Sequence, residues 1–99
     1  MSRGLDGHAI LKRHYEIIKY KYMAQVSIYS TPNCTYCKAA KEYFGENKVD
    51  FQEFNVAEDM ARRQEMIERS GQMGVPVIMI DNNIIVGFNK GKLAELLGL

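Results

Sequence analysis

The stretch Ser30-Thr31-Pro32-Asn33-Cys34-Thr35-Tyr36-Cys37-Lys38 decides the fold, because it joins two segments of different periodicity. The apolar, β-branched run before it, residues 26–29, predicts a strand. After it, apolar residues recur at helical spacing up to residue 44, which predicts a helix. Both cysteines therefore lie where a strand passes into a helix. Unpaired backbone N–H groups and the positive end of the helix dipole favour a thiolate there, and Cys34 gains most from them.

Cys34 and Cys37 are the only cysteines of the chain and are one helical turn apart. A disulfide between them closes a ring of four residues, which removes little entropy from the unfolded chain and stabilises the fold weakly. Such a pair is better suited to a bond that opens and closes. We predict that the Cys34 thiolate attacks a target disulfide, and that Cys37 then resolves the mixed disulfide by displacing the reduced target.

A C-x-x-C pair can also supply half of a metal site, which is the alternative interpretation. A closed zinc site needs four ligands, and the only histidines, His8 and His14, lie far upstream. Two chains could each supply two cysteines, which leaves a dimeric iron–sulfur or metal-binding protein open. Redox chemistry is favoured because a C-x-x-C beside a β/α pattern is a recognised redox signal. We therefore expect neither a metal site nor a tightly bound cofactor.

Length and charge limit the possible partners. Ninety-nine residues are enough for one domain with a core of its own. The chain has 13 basic and 12 acidic side chains, so its charge gives no reason to expect nucleic acid or a membrane as the main partner. No apolar run reaches the length of a transmembrane helix. We expect the cysteines to function in the reducing cytoplasm, where a lone C-x-x-C is more often catalytic than structural.

Residues 1–22 form a basic extension that differs from the domain predicted for residues 23–99. The extension has five Lys or Arg and two acidic residues, a net charge of +3, whereas residues 23–99 have a net charge of −2. Its apolar residues are near helical spacing, so a short amphipathic helix is one interpretation. The favoured interpretation is that Met23 is the natural start and that the extension is not native, because the first strand follows Met23 so soon.

Five further elements are predicted after the first helix. They are a strand at 51–56, a helix at 58–70 ending at Gly71, strands at 77–80 and 84–86 joined by Asp81-Asn82-Asn83, and a helix at 92–97 capped by Asn89. The order β-α-β-α-β-β-α predicts an α/β fold, a four-stranded mixed sheet with helices on both faces.

Two local details are also predicted. Asn47 is expected to end the first helix in a left-handed conformation, although Gly45 could end it a turn earlier. In the second helix, Met60, Ile67 and Met66 are expected to point inward.

Three motifs resemble the glutaredoxin family of the thioredoxin superfamily. The segment 29–37 is similar to the family's strand and active-site turn, where C-P-Y-C is the common form and Thr35 replaces the proline. The segment 69–71 before Gly74-Val75-Pro76 resembles the approach to the family's cis-proline, and Val86-Gly87-Phe88 resembles the strand end before its last helix. The resemblance covers residues 24–98 in order. It implies a thioredoxin-like fold and a dithiol thiol–disulfide oxidoreductase.

The resemblance also implies roles for residues around the cysteines. Pro76 would be cis and lie beside the disulfide, and the Val75 backbone would pair with a bound thiol peptide as a β-strand does. Cys34 would be the exposed nucleophile and Cys37 the buried resolving thiol. Tyr36 would flank the groove.

The remaining substrate-binding positions depart from the glutathione-using members. Those members commonly have a lysine three residues before the first cysteine, where this chain has Thr31, and acidic residues after a Gly-Gly pair near the last helix. Here the second region has Gly87, Phe88 and Asn89, followed by Lys90, which would repel the glutathione ammonium group. Glutathione is thus a possible co-substrate, and either it or thioredoxin reductase would supply electrons. Protein disulfides are the expected substrates, and the protein is expected to be a monomer.

Overall fold

The computed structural model describes residues 24–99. Its seven elements are β1 (Val26–Ser30), α1 (Thr35–Glu46), β2 (Gln52–Asn55), α2 (Met60–Ser70), β3 (Val77–Ile80), β4 (Asn83–Val86) and α3 (Lys90–Leu97). The observed order, β-α-β-α-β-β-α, is the predicted one. The amphipathic helix considered for the extension, and both histidines, lie outside the described residues.

The four strands form one mixed sheet in the order β2-β1-β3-β4. Strand β1 pairs in parallel with β2, so the β1-α1-β2 unit has the parallel geometry that a strand–helix–strand unit predicts. The pairs β1 with β3 and β3 with β4 are antiparallel. The central strand β1 ends where the cysteine loop begins, so its carboxyl end presents that loop at one edge of the sheet.

Both faces of the sheet are covered by helices. On one face, α1 and α3 pack on β1 and β3 through a core that includes Phe44, Ile28 and Leu93, each fully buried. On the other face, Met66 of α2 packs with Tyr29 and Val77. The run 77–80 is buried at every position, as expected for a strand with a helix layer on each side. The fold is therefore the predicted α/β, thioredoxin-like one.

The ends of the helices agree only partly with the sequence. Gly71 ends α2 with φ 76°, the left-handed conformation that glycine adopts without steric cost. Helix α1 ends at Glu46 with Asn47 as its cap, but Asn47 has φ −100°. The prediction of a left-handed Asn47 is wrong, because the chain turns one residue later, at Lys48 with φ 56°.

The inward orientation of Met60 is also wrong. Met60 is the first residue of α2 and its side chain is 61% exposed, whereas Met66 is fully buried and Ile67 is half-buried. Helical spacing alone cannot say which of several apolar residues faces the sheet, and Met60, at the first position of α2, lies outside the buried cluster that contains Met66. Within residues 24–99, none of the helices could cross a bilayer.

Candidate active site

Both cysteines lie at the start of α1, where they form a disulfide. Cys34 is the N-cap of the helix, with extended backbone angles, and its Sγ accepts a hydrogen bond from the Cys37 backbone N–H at 3.1 Å. The Cα atoms of the pair are 5.1 Å apart. A sulfur in the N-cap position receives the donors that the helix leaves unpaired, and this stabilises negative charge on Cys34 in the reduced protein.

The two cysteines differ in exposure. Cys37 is 1% exposed and faces the sheet, whereas Cys34 is half-buried and reaches the surface. Only Cys34 is therefore accessible to a large disulfide substrate. Tyr36, between them and directly before Cys37 in the sequence, is 66% exposed.

The loop before α1 is closed by its backbone. The Cys34 N–H donates to the Thr31 carbonyl at 3.4 Å, which forms a turn over residues 31–34. Thr31 itself is half-buried, while Pro32 and Asn33 are exposed. The structure thus places Thr31 at the base of the turn that presents Cys34.

The entry of β3 contains the second predicted group of residues. The Val75–Pro76 peptide bond is cis, as the resemblance implied. Pro76 is buried and Val75 is half-buried. The Pro76 carbonyl accepts a hydrogen bond from the Gly87 N–H at 2.8 Å, so the structure brings Gly87, at the end of β4, next to the proline.

Phe88 and Asn89 have structural contacts of their own. The Phe88 ring packs edge-on against Tyr43 of α1, with 6.0 Å between ring centroids, and is half-buried against the α1 core. Asn89 caps α3, because its Oδ1 accepts from the Lys92 N–H at 3.0 Å. Lys90 Nζ lies 5.6 Å from the centre of the Tyr43 ring. The substrate-binding roles of Phe88 and Asn89 remain predictions.

A polar network at the end of β1 was not predicted from the sequence. The Ser30 hydroxyl donates to Glu53 Oε2 at 2.7 Å, and Lys41 Nζ donates to the same oxygen at 2.8 Å. The hydrogen bond from Lys41, followed by that from Ser30, lowers the pKa of Glu53. The sequence did contain one indication of this network. Lys41 follows Cys37 by four residues, which places both side chains on the same side of α1.

A second network lies on the opposite face of the sheet. Glu65 of α2 accepts hydrogen bonds from the Tyr29 hydroxyl and from Arg62 Nη1, each at 2.9 Å. The hydrogen bond from Arg62 is the largest cause of the lowered pKa of Glu65, and burial raises the pKa of Tyr29. Arg62 also lies over the Phe54 ring at 3.9 Å. In residues 24–99 no group of three or more His, Cys, Asp or Glu side chains is placed to hold a metal ion.

Comparison with known proteins agrees with this arrangement. The sequence model of the family described as glutaredoxin matches residues 26–85. The chain belongs to the glutaredoxin family. Its members are thiol–disulfide oxidoreductases, and the Cys34/Cys37 pair makes this glutaredoxin one of the dithiol type.

Individual relatives cover most of the described residues of this glutaredoxin. It is 54% identical over 72 residues to a glutaredoxin-like 8.6 kDa protein of the rubredoxin operon of Clostridium pasteurianum, covering 73% of this chain and 96% of that protein. It is 45% identical over 65 residues to glutaredoxin 3 of Escherichia coli, covering 66% and 78%. The crystal structure of a glutaredoxin from Archaeoglobus fulgidus matches with a TM-score of 0.69 and 26% identity, covering 80% and 91%.

Proposed function

We propose that this glutaredoxin reduces disulfides of proteins through a cycle of the Cys34/Cys37 pair. The observation that carries the proposal is the contrast between the two sulfurs. Cys34 is half-buried and its Sγ accepts a backbone N–H, whereas Cys37 is buried. An accessible thiolate with a buried thiol one turn away is the arrangement needed for attack followed by intramolecular resolution.

The cycle consists of two exchanges. The Cys34 thiolate attacks one sulfur of the target disulfide, and a Cys34–target bond forms as the target's sulfur–sulfur bond breaks and its other sulfur leaves as a thiolate. Cys37, once deprotonated, then attacks Cys34 Sγ, so the Cys34–Cys37 bond forms and the second target sulfur leaves. The target gains two electrons and, after protonation, two protons, while the glutaredoxin ends as the disulfide.

The return of the Cys34–Cys37 disulfide to the dithiol needs an external reductant. We propose that glutathione or a thioredoxin reductase supplies it, in a reducing compartment such as the cytoplasm. The start of α3 has no acidic side chain in its first turn and has Lys90 near Tyr43. A glutathione ammonium group therefore finds no carboxylate at this helix start, which favours the reductase.

The testing experiment compares the two reductants on one preparation. The rate at which the oxidised protein is reduced by glutathione is measured beside its rate with NADPH and thioredoxin reductase. Fast reduction by glutathione identifies the tripeptide as electron donor, and reduction through the reductase alone identifies a thioredoxin-like donor. The Cys34→Ser variant is the control for the cycle itself, and dithiol reductase activity retained by that variant would overturn the proposal.

A further inference from the structure

The network of Ser30, Glu53 and Lys41 lies directly behind the cysteine turn. Ser30 is the last residue of β1, four residues before Cys34, and is the single buried polar side chain within the described range 24–99. Lys41 is one helical turn after Cys37 on α1. Glu53, on the neighbouring strand β2, accepts from both side chains with one oxygen. The carboxylate therefore links the strand that enters the turn to the helix that leaves it.

We propose that Glu53 is a positioning residue for the exchange, holding the first turns of α1 so that Cys37 can attack the mixed disulfide on Cys34. The inference rests on the proposed function, since it assigns a further residue to the same exchange. Glu53 is not itself a reacting group. It acts through Ser30 and Lys41.

The packing of α1 shows why such a link is needed. The apolar anchors of the helix, Ala40, Tyr43 and Phe44, lie in its second and third turns. In the first turn, residues 35–38, Cys37 is the only buried residue. In the oxidised protein the disulfide fixes this turn, but that bond is absent in the reduced protein and in the mixed disulfide. The Lys41–Glu53 ion pair, one helical turn after Cys37, then ties this part of the helix to β2.

The strength of the link comes from its charge. Both hydrogen bonds to Glu53 Oε2 are charge-assisted, because the acceptor is a carboxylate, and both are short. A glutamate is ionised at neutral pH, and the hydrogen bond from Lys41, followed by that from Ser30, lowers the pKa of Glu53 further. The hydroxyl of Ser30 is buried, so its end of the hydrogen bond is shielded from water, whereas the carboxylate of Glu53 is partly exposed.

The test follows the two exchanges separately with an aromatic disulfide, 5,5′-dithiobis(2-nitrobenzoate), whose thiolate product absorbs visible light. One equivalent of this aromatic thiolate is released when Cys34 of the reduced protein attacks the reagent. A second equivalent is released when Cys37 resolves the mixed disulfide on Cys34. In the Glu53→Gln variant we expect the second phase to slow by about 5-fold, because misplacing a reacting group slows an intramolecular step, while the first phase changes by less than about twofold.

The reduction potential gives an independent readout. A 5-fold weaker tendency to close the disulfide raises the potential by about 20 mV, since a tenfold change corresponds to about 30 mV for a two-electron couple. Removing the Glu53 charge also leaves Lys41 unneutralised, and that cation favours a thiolate and raises the potential as well. The double variant Glu53→Gln/Lys41→Met removes both charges together, so it tests positioning without the change in charge.

Glu65→Gln is the matched control, because Glu65 forms a similar network with Tyr29 of β1 on the face away from α1. We expect that variant to keep the second phase and the potential of the unsubstituted protein. Slow resolution in the double variant with normal resolution in Glu65→Gln supports the inference. If the Glu53 variants fail to fold by circular dichroism, Ser30→Ala breaks the link on the strand side without changing a charge, and slow resolution in that variant supports the inference.

Two results would overturn the inference. One is a second phase and a potential that are unchanged in the folded double variant. The other is an effect that occurs in Glu53→Gln alone and disappears in the double variant, which would show that charge and not position is responsible. A failure of the proposed function is distinguishable from both results. In that case the unsubstituted protein itself would give no second equivalent of the aromatic thiolate, because Cys37 would not resolve the mixed disulfide.

Discussion

The chemistry depends on two residues of the same type in different surroundings. Cys34 and Cys37 are three positions apart, yet one is at the surface and the other is 1% exposed. The N-cap position accounts for part of the difference, because the residue before a helix has extended backbone angles and points away from the helix barrel. One turn later, Cys37 lies on the helix side that packs against the sheet. Function is therefore divided between the cysteines by backbone geometry.

Alkylation of the reduced protein tests this division. We expect iodoacetamide at pH 6 to modify Cys34 at least about tenfold faster than Cys37, because Cys34 is accessible and its thiolate receives a backbone N–H. Peptide mass spectrometry after short exposure measures the two rates. The Cys37→Ser variant should be alkylated at Cys34 as fast as the unsubstituted protein, and equal rates at both cysteines would contradict the expected division.

The two methionines of α2, Met66 and Met60, differ in burial, and alanine substitutions test that difference. Met66→Ala should destabilise the fold by about 2–5 kcal/mol, because Met66 is fully buried and alanine leaves a cavity. Met60→Ala, at an exposed position of the same helix, should change the unfolding free energy by less than about 0.5 kcal/mol. Urea denaturation measures both. A similar loss in the two variants would show that the assigned burial is incorrect.

Among the elements, the helix ends show how local chemistry determines structure. Glycine is needed at Gly71, where φ is 76° and the chain leaves α2. By contrast, Gly45 lies within α1, and a Cβ added there meets no atom within 4 Å. The same substitution should therefore have opposite effects at the two positions.

We expect Gly71→Ala to destabilise the protein by about 1 kcal/mol, since an alanine in the left-handed region is strained. Gly45→Ala should stabilise it by about 0.5–1 kcal/mol, because alanine restricts the unfolded chain and favours helix. For a domain of this size each change shifts Tm by roughly 4–8 °C per kcal/mol. Shifts of the same sign in the two variants would contradict the assignment of the helix end.

The type and order of the helices and strands were predicted from the sequence more accurately than the side-chain contacts between them. The strand at 77–80 is continuous and apolar, and the helices have caps such as Asn89 and Gly71, so their type and order were predictable. Asn47 and Met60 were wrongly placed because the exact end of a helix depends on packing that no local pattern specifies.

The contact between Ser30 and Glu53 could not be predicted from a local pattern. The two residues are 23 positions apart in the chain, and only the parallel register of β1 and β2 brings their side chains together.

At the scale of the whole molecule, the central strand β1 is held from both faces by carboxylates. Glu53 binds the Ser30 hydroxyl on the α1 face, and Glu65 binds the Tyr29 hydroxyl on the α2 face. Each carboxylate also pairs with a cation of the helix on its own side, Lys41 or Arg62. The strand that presents the cysteine turn is thus tied to both helix layers by groups that protonate in acid.

The global stability should accordingly fall in acid. The hydrogen bond from Lys41 lowers the pKa of Glu53 below its ordinary value of 4.5, and the hydrogen bond from Arg62 lowers that of Glu65. A carboxyl group whose pKa is lower in the folded state contributes stability that is present above its unfolded pKa and lost as the pH falls through the folded one. We expect each contribution to be modest, less than about 1 kcal/mol, because these ion pairs are partly exposed and screened by water.

Urea midpoints at pH 6 and pH 3 measure this linkage. At pH 6 the unsubstituted protein should be more stable than Glu53→Gln, and at pH 3 the difference should shrink, because below the ordinary pKa of 4.5 the unfolded chain binds the proton at Glu53 more readily than the folded protein does. Glu65→Gln should behave in the same way, whereas its disulfide exchange should stay normal. A difference for Glu53→Gln that is independent of pH would show that the carboxylate stabilises the fold through its shape and not through its charge.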